Sequence, residues 1–170
     1  MNKLLPSRRQ LLLAAAPLVL VGCGFRLRGV PNFAFASVFI NGPANSSLVA
    51  ELRQNIASGG NVVVVPAGAP PEQAQVVIDI LADQREKVVV GLNASGQVRE
   101  FQLRTRLRFR LRTPQGKDLI AETELLQQRD ISFNESAVLA KEAEEGLLYR
   151  DMQTDIVQQL MRRLAAVKTL

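Results

Sequence analysis

The sequence predicts an α+β fold in which two helices pack on one face of a four- to five-stranded mixed, mostly antiparallel sheet. Three observations carry this expectation. Apolar residues alternate with polar ones through three long stretches in the second half of the chain, the period of a half-buried strand. Those stretches are joined by segments rich in turn formers, Leu92-Asn93-Ala94-Ser95-Gly96 and Pro114-Gln115-Gly116-Lys117. Two other stretches carry apolar residues at helical spacing, and sheet and helices must bury their apolar faces against one another.

Taken in chain order, residues 33–40 read as a first strand, ended by Asn41-Gly42-Pro43. A helix is expected over 47–58. Ser46 or Ser47 can cap it, Leu48, Leu52 and Ile56 share one face, and Gly59-Gly60 stops it. The four consecutive valines within 61–66 predict a short buried strand, and 67–73 a Pro/Gly-rich loop. Long strands are expected over 74–90, 97–113 and 118–132. A closing helix over 137–167 carries the stripe Leu148, Met152, Ile156, Leu160, Leu164 and Val167.

The segment 101–112 is the most unusual. Phe101, Leu103, Leu107, Phe109 and Leu111 fall on one face, and arginines at 104, 106, 108, 110 and 112 on the other. Such a ladder serves either as a basic strip for phosphates or as a solvated face neutralised by neighbours. Keeping apolar faces together permits Arg108 opposite Glu122, Arg106 opposite Glu124 and Asp83, and Arg110 opposite Asp79. That register favours neutralisation in the middle of the ladder and leaves Arg104, facing Arg85, and Arg112 least compensated. Anion binding is therefore assigned to the tip side, to Arg85, Lys87, Arg99 and Arg104.

The N-terminus has a different character. Lys3, Arg8 and Arg9 precede an apolar run, Leu11–Val21, shorter than the ~20 residues of a membrane-spanning helix. This is the form of an export signal. It ends in Leu20-Val21-Gly22-Cys23, which resembles the lipobox of bacterial lipoproteins and makes Cys23 the expected site of lipid attachment. The chain has one cysteine, so no internal disulfide competes for it. Ser7-Arg8-Arg9-Gln10-Leu11-Leu12 has the form of a twin-arginine signal without the Lys that usually follows, and the same segment serves ordinary Sec export. The expected division is a signal peptide over 1–22, a lipidated tether over 23–32 and one domain over 33–170. Removing the signal takes three cations and no carboxylate, so the net charge falls from +5 to +2. Several acyl chains, palmitate among them, would hold the mature protein to a membrane.

Composition also excludes function classes. There is no histidine and no cysteine besides Cys23, which removes the usual zinc sites and the Ser-His-Asp and Cys-His systems. Gly59-Gly60 is not a phosphate-binding loop. The carboxylate pairs Glu144/Glu145 and Glu122/Glu124 lie in strongly charged stretches without a sign of a pocket. Neither an enzyme nor a cofactor nor a metal is expected. A nucleic-acid partner is not expected either. Phe101 and Phe109 lie opposite the arginines instead of among them, and tryptophan is absent.

Two segments resemble a known family. Cys23-Gly24-Phe25-Arg26-Leu27-Arg28-Gly29 is similar to the opening of the LPS-assembly lipoprotein LptE family, with Arg26 where the family often has His. Leu148-Tyr149-Arg150-Asp151-Met152 and Val157-Gln158-Gln159-Leu160-Met161-Arg162-Arg163-Leu164 resemble its C-terminal helix. The resemblance implies an outer-membrane lipoprotein that plugs the β-barrel of an LptD partner, supports its assembly and binds lipopolysaccharide. Val138-Leu139-Ala140-Lys141 matches the family's Ala-Leu-Ala-Lys segment, which makes Lys141 an implied lipopolysaccharide-binding residue. The family's other basic position falls in the first hairpin turn, where this chain has Ala94; Arg99 is the replacement offered. Gly24 lacks the Asp that retains lipoproteins in the inner membrane, which implies outer-membrane sorting. The alternative is a structural adaptor lipoprotein of another envelope complex.

Overall fold

A computed structural model describes residues 32–170. The expected signal peptide, Cys23 and the tether up to residue 31 lie outside the described residues. The elements are β1 (Ser37–Asn41), α1 (Ser47–Ser58), β2 (Val63–Val65), β3 (Val76–Leu92), β4 (Val98–Arg112), β5 (Asp118–Ser132) and α2 (Val138–Ala166). Short 3-10 turns at Pro71–Gln73 and Glu135–Ala137 precede β3 and α2. The strands form one mixed sheet in the order β2-β1-β3-β4-β5. β1 runs parallel to β2 and β3, while β3, β4 and β5 form an antiparallel meander.

Local chemistry explains most boundaries. The Ser46 side chain accepts a hydrogen bond from the Val49 N–H at 3.1 Å, capping α1; such a cap contributes about 1 kcal/mol. Gly96 and Gly116 take positive φ in the two hairpin turns, where a side chain would be strained. The first strand is shorter than its composition predicts. Phe33 and Phe35 stack at 5.2 Å instead of pairing in the sheet, and Phe35 is buried as a plug at the core's edge. Aromatic content alone does not separate a strand from a core-filling lead-in.

Both helices cover the same sheet face. Val38, Ile40, Ile78, Leu107, Phe109 and Leu111 meet Leu48, Leu52 and Ile56 of α1 and Ile156, Leu160 and Leu164 of α2 in one buried cluster. Phe39, Val65, Ala74 and Val77 form a second, small cluster at the β2 side of the sheet. A third cluster, Leu103, Ile131 and Met152, lies toward the β3–β4 turn, hereafter the tip. Among the described residues no helix is long and apolar enough to cross a membrane.

In the first hairpin the register first departs from expectation at Leu81. Ile80 pairs with Phe109 and Ala82 with Arg108, so Leu81 is an extra residue, a β-bulge. Before it, Asp79 faces Arg110 as expected. Beyond it, as far as Val89, every β3 side chain changes face. Asp83 then opposes Leu107 instead of Arg106, Arg85 opposes Thr105 instead of Arg104, and Glu86 takes the place opposite Arg104. In the second hairpin Arg108 lies opposite Glu124, two residues from the expected partner. The expected ion pairs form nonetheless, as diagonals: Arg108–Glu122 at 3.1 Å and Arg106–Glu124 at 3.8 Å.

Candidate functional site

The ladder face is built by strand alternation. Buried Leu103, Thr105, Leu107, Phe109 and Leu111 fix the opposite face of β4 to the helices, so the arginines must point away. Their anchor is Asp79, only 4 % exposed. Its carboxylate accepts from Arg110 Nε at 2.8 Å, Arg112 Nε at 2.7 Å and Asn41 Nδ2 at 2.9 Å. Desolvation by burial pushes its pKa up, but hydrogen bonds from Arg112, Asn41 and Arg110 together prevail and hold it at about 2. Arg112 is therefore not the uncompensated cation that register reasoning made it. Arg104 stays on this face, opposite Glu86, and donates to Gln102 Oε1 at 2.8 Å.

The bulge at Leu81 carries Asp83, Arg85 and Lys87 to the helix side, where each meets a helix. Asp83 accepts from the α1 cap Ser46 at 2.6 Å. Arg85 donates to Gln153 Oε1 at 2.7 Å and lies over the Tyr149 ring, 5.4 Å from its centroid. Lys87 pairs with Glu145 of α2 at 2.6 Å and sits 4.3 Å over the Phe101 ring. Arg85, Lys87 and Arg104 thus do not form the single tip cluster that the sequence predicts, because the bulge puts the first two on one face and the third on the other.

The structure brings Lys87 and Lys141 together instead. They line one cleft of about 60 Å³ between β4, β5 and the start of α2, with Phe101, Phe133, Val138 and Glu145. Lys141 Nζ donates to Ser132 Oγ at 3.0 Å and to Glu144 at 2.9 Å. Phe101 and Phe133 meet edge to face at 5.4 Å. Arg99 lies next door, in a cleft of about 300 Å³ that shares Phe133 as a wall and includes Asn134 and Glu135. Apolar walls bearing ammonium groups suit a ligand with a phosphate beside hydrocarbon.

Sequence reasoning missed Glu145, Gln153 and Tyr149. Gln153 is buried and joins three elements, accepting from Ser47 at 2.7 Å and donating to Glu51 at 2.6 Å. The Tyr149 hydroxyl donates to the Glu86 carbonyl at 2.8 Å. Burial and, after it, the Glu145 charge raise its pKa, against a smaller lowering by Arg85. A polar residue inside the α2 apolar spacing was the available signal for Gln153. Among the described residues no group of three or more acidic, histidine or cysteine side chains is placed to hold a metal ion.

A family model described as LptE, lipopolysaccharide-assembly, matches residues 33–164. The chain belongs to the LptE family. The LPS-assembly lipoprotein LptE of Photorhabdus laumondii is 32% identical over 166 residues, covering 92% of this chain and 85% of that protein. The Yersinia enterocolitica protein of the same name is 30% identical over 160 residues, covering 92% and 75%. Among solved structures, the solution NMR structure of lipoprotein B from Nitrosomonas europaea is 36% identical with a TM-score of 0.70, covering 84% of this chain and 91% of that one. The rare lipoprotein B from Shewanella oneidensis shares the fold at a TM-score of 0.63 and 20% identity, covering 76% and 94%. The resemblance read from the two ends of the sequence therefore extends through this LptE-family domain.

Proposed function

We propose that this chain is an outer-membrane lipoprotein, acylated at Cys23, that plugs an LptD-like β-barrel, supports the barrel's assembly and binds lipopolysaccharide on its way to the outer leaflet. The observation that carries this reading is the family match over residues 33–164. Two features of the fold support the finer parts. A plug in a hydrophilic lumen needs a polar sheet face, and the carboxylate-laced arginine ladder provides one. A lipid A phosphate needs charge-assisted donors beside apolar surface, and the Lys87–Lys141 cleft with neighbouring Arg99 offers both. The role is binding and positioning, without catalysis, cofactor or nucleic acid.

The expected consequence for binding is direct. Lys141→Asp with Arg99→Asp should weaken lipopolysaccharide capture by roughly a hundredfold or more, since each of the two lost charge-assisted contacts removes about 1.5–3 kcal/mol. Lys141 is half-buried and Arg99 exposed, so the thermal unfolding midpoint should hardly move. A folded double variant that captures lipopolysaccharide as the parent does would reject this site.

A further inference from the structure

The first turns of α2 are held differently from the rest of that helix. Met152, Ile156, Val157, Leu160, Met161 and Leu164 are buried, whereas no residue from Val138 to Leu147 is. The helix start lacks a side-chain cap at Ala137 and has no acidic residue in its first turn. Gly146 lies within the helix although a side chain there would meet nothing within 4 Å, so no packing demand offsets its low helix propensity. What ties these turns to the sheet is mainly polar. Glu145 pairs with Lys87 at 2.6 Å, and Lys141 reaches Ser132 at 3.0 Å. Beneath them lie Phe101, Ile131 and Phe133, with Val138 on the segment itself.

The cleft's own charge is also informative. Its two ammonium groups share the lining with Glu142 and Glu145, and Glu144 takes a bond from Lys141. A phosphate arriving there competes with Glu145 for Lys87.

We propose that Val138–Leu147 is a lid latched by the Lys87–Glu145 ion pair, which a phosphorylated, acylated amphiphile opens by taking Lys87 from Glu145, so that a hydrocarbon chain reaches Phe101, Ile131 and Phe133. This rests on the lipopolysaccharide-binding reading above and adds how the site is gated. The phosphate replaces a carboxylate on the same ammonium group, no covalent bond is made or broken, and the freed turns lose their main tie to β3. Exposed apolar side chains on the lid, Val138 and Leu139, then line the hydrocarbon's path.

The test compares amide hydrogen exchange over 138–147 and lipopolysaccharide capture in four forms of the purified protein. Glu145→Gln unlatches the lid; its exchange should rise at least several-fold and capture should tighten by a similar factor. Glu142→Gln removes the same charge from the cleft wall without touching the Lys87 pair, and should leave lid exchange at the parent's value. Gly146→Ala stiffens the lid, and should slow its exchange and weaken capture. Adding lipopolysaccharide to the parent should accelerate lid exchange as Glu145→Gln does. Equal effects of Glu145→Gln and Glu142→Gln, or a Gly146→Ala form that binds as the parent does, would overturn the latch while leaving the binding site standing. A parent that captures no lipopolysaccharide would overturn the reading beneath it, and the latch with it.

Discussion

Replacing Asp79 with alanine should lower the unfolding free energy by about 3 kcal/mol, the scale of breaking a buried pair by removing one partner. The carboxylate is 4 % exposed and is the common acceptor for Arg110, Arg112 and Asn41. Without it, two guanidinium groups side by side on the sheet lose their counter-charge, and Asn41 loses its acceptor. The same group gives the protein an acid limit. Its folded pKa, about 2, lies below the ordinary 3.8, so its stabilisation is fully present above pH 4 and is lost as pH falls through about 2. The shift corresponds to about 2 kcal/mol. Urea unfolding over a series of acidic pH values reads both effects: the parent should lose this increment on acidification and Asp79→Ala should not. Parallel pH profiles for the two would contradict the assignment.

The largest single packing loss is expected from Phe109→Ala, about 4 kcal/mol. Phe109 is fully buried in the cluster that joins the sheet to both helices. Truncation leaves a hole bounded by β-sheet on one side and two helices on the other, and neither layer can collapse into it without breaking its own hydrogen bonds. Equilibrium denaturation should show the loss as a lower midpoint with little change in slope. A loss below about 1 kcal/mol would mean that the site collapses.

Much of this architecture was legible because local signals agreed. α1 begins and ends where Ser46, Leu48, Leu52, Ile56 and Gly59 place it, since cap, apolar spacing and stop signal coincide. The faces of β4 followed from alternation alone, and the turn formers Pro114–Lys117 marked where β5 begins. The third strand was harder. One extra residue in a strand changes no composition, yet it moves Arg85 and Lys87 to the helix side. The adjacent apolar pair Ile80-Leu81 was the trace it left, and Leu81 is in fact the exposed member. Charged residues on a helix-facing strand give no amphipathic pattern, because their partners, Ser46, Gln153 and Glu145, come from distant parts of the chain. That is why Lys141, Lys87 and Arg99 were each legible as cations, while the pairing of the first two across one cleft was not. The arginine partners Glu122 and Glu124 were found despite a register offset of two, because a long guanidinium side chain reaches diagonal neighbours as well as direct ones.

Affinity purification of the chain from gently solubilised outer membranes tests the proposed plug role most directly. The prediction is a single large β-barrel partner of the LptD type, identified by mass, that stays with the chain through mild detergent and salt. Recovery of the acylated chain without such a barrel, or with another envelope complex in its place, would contradict the plug role and favour the adaptor alternative.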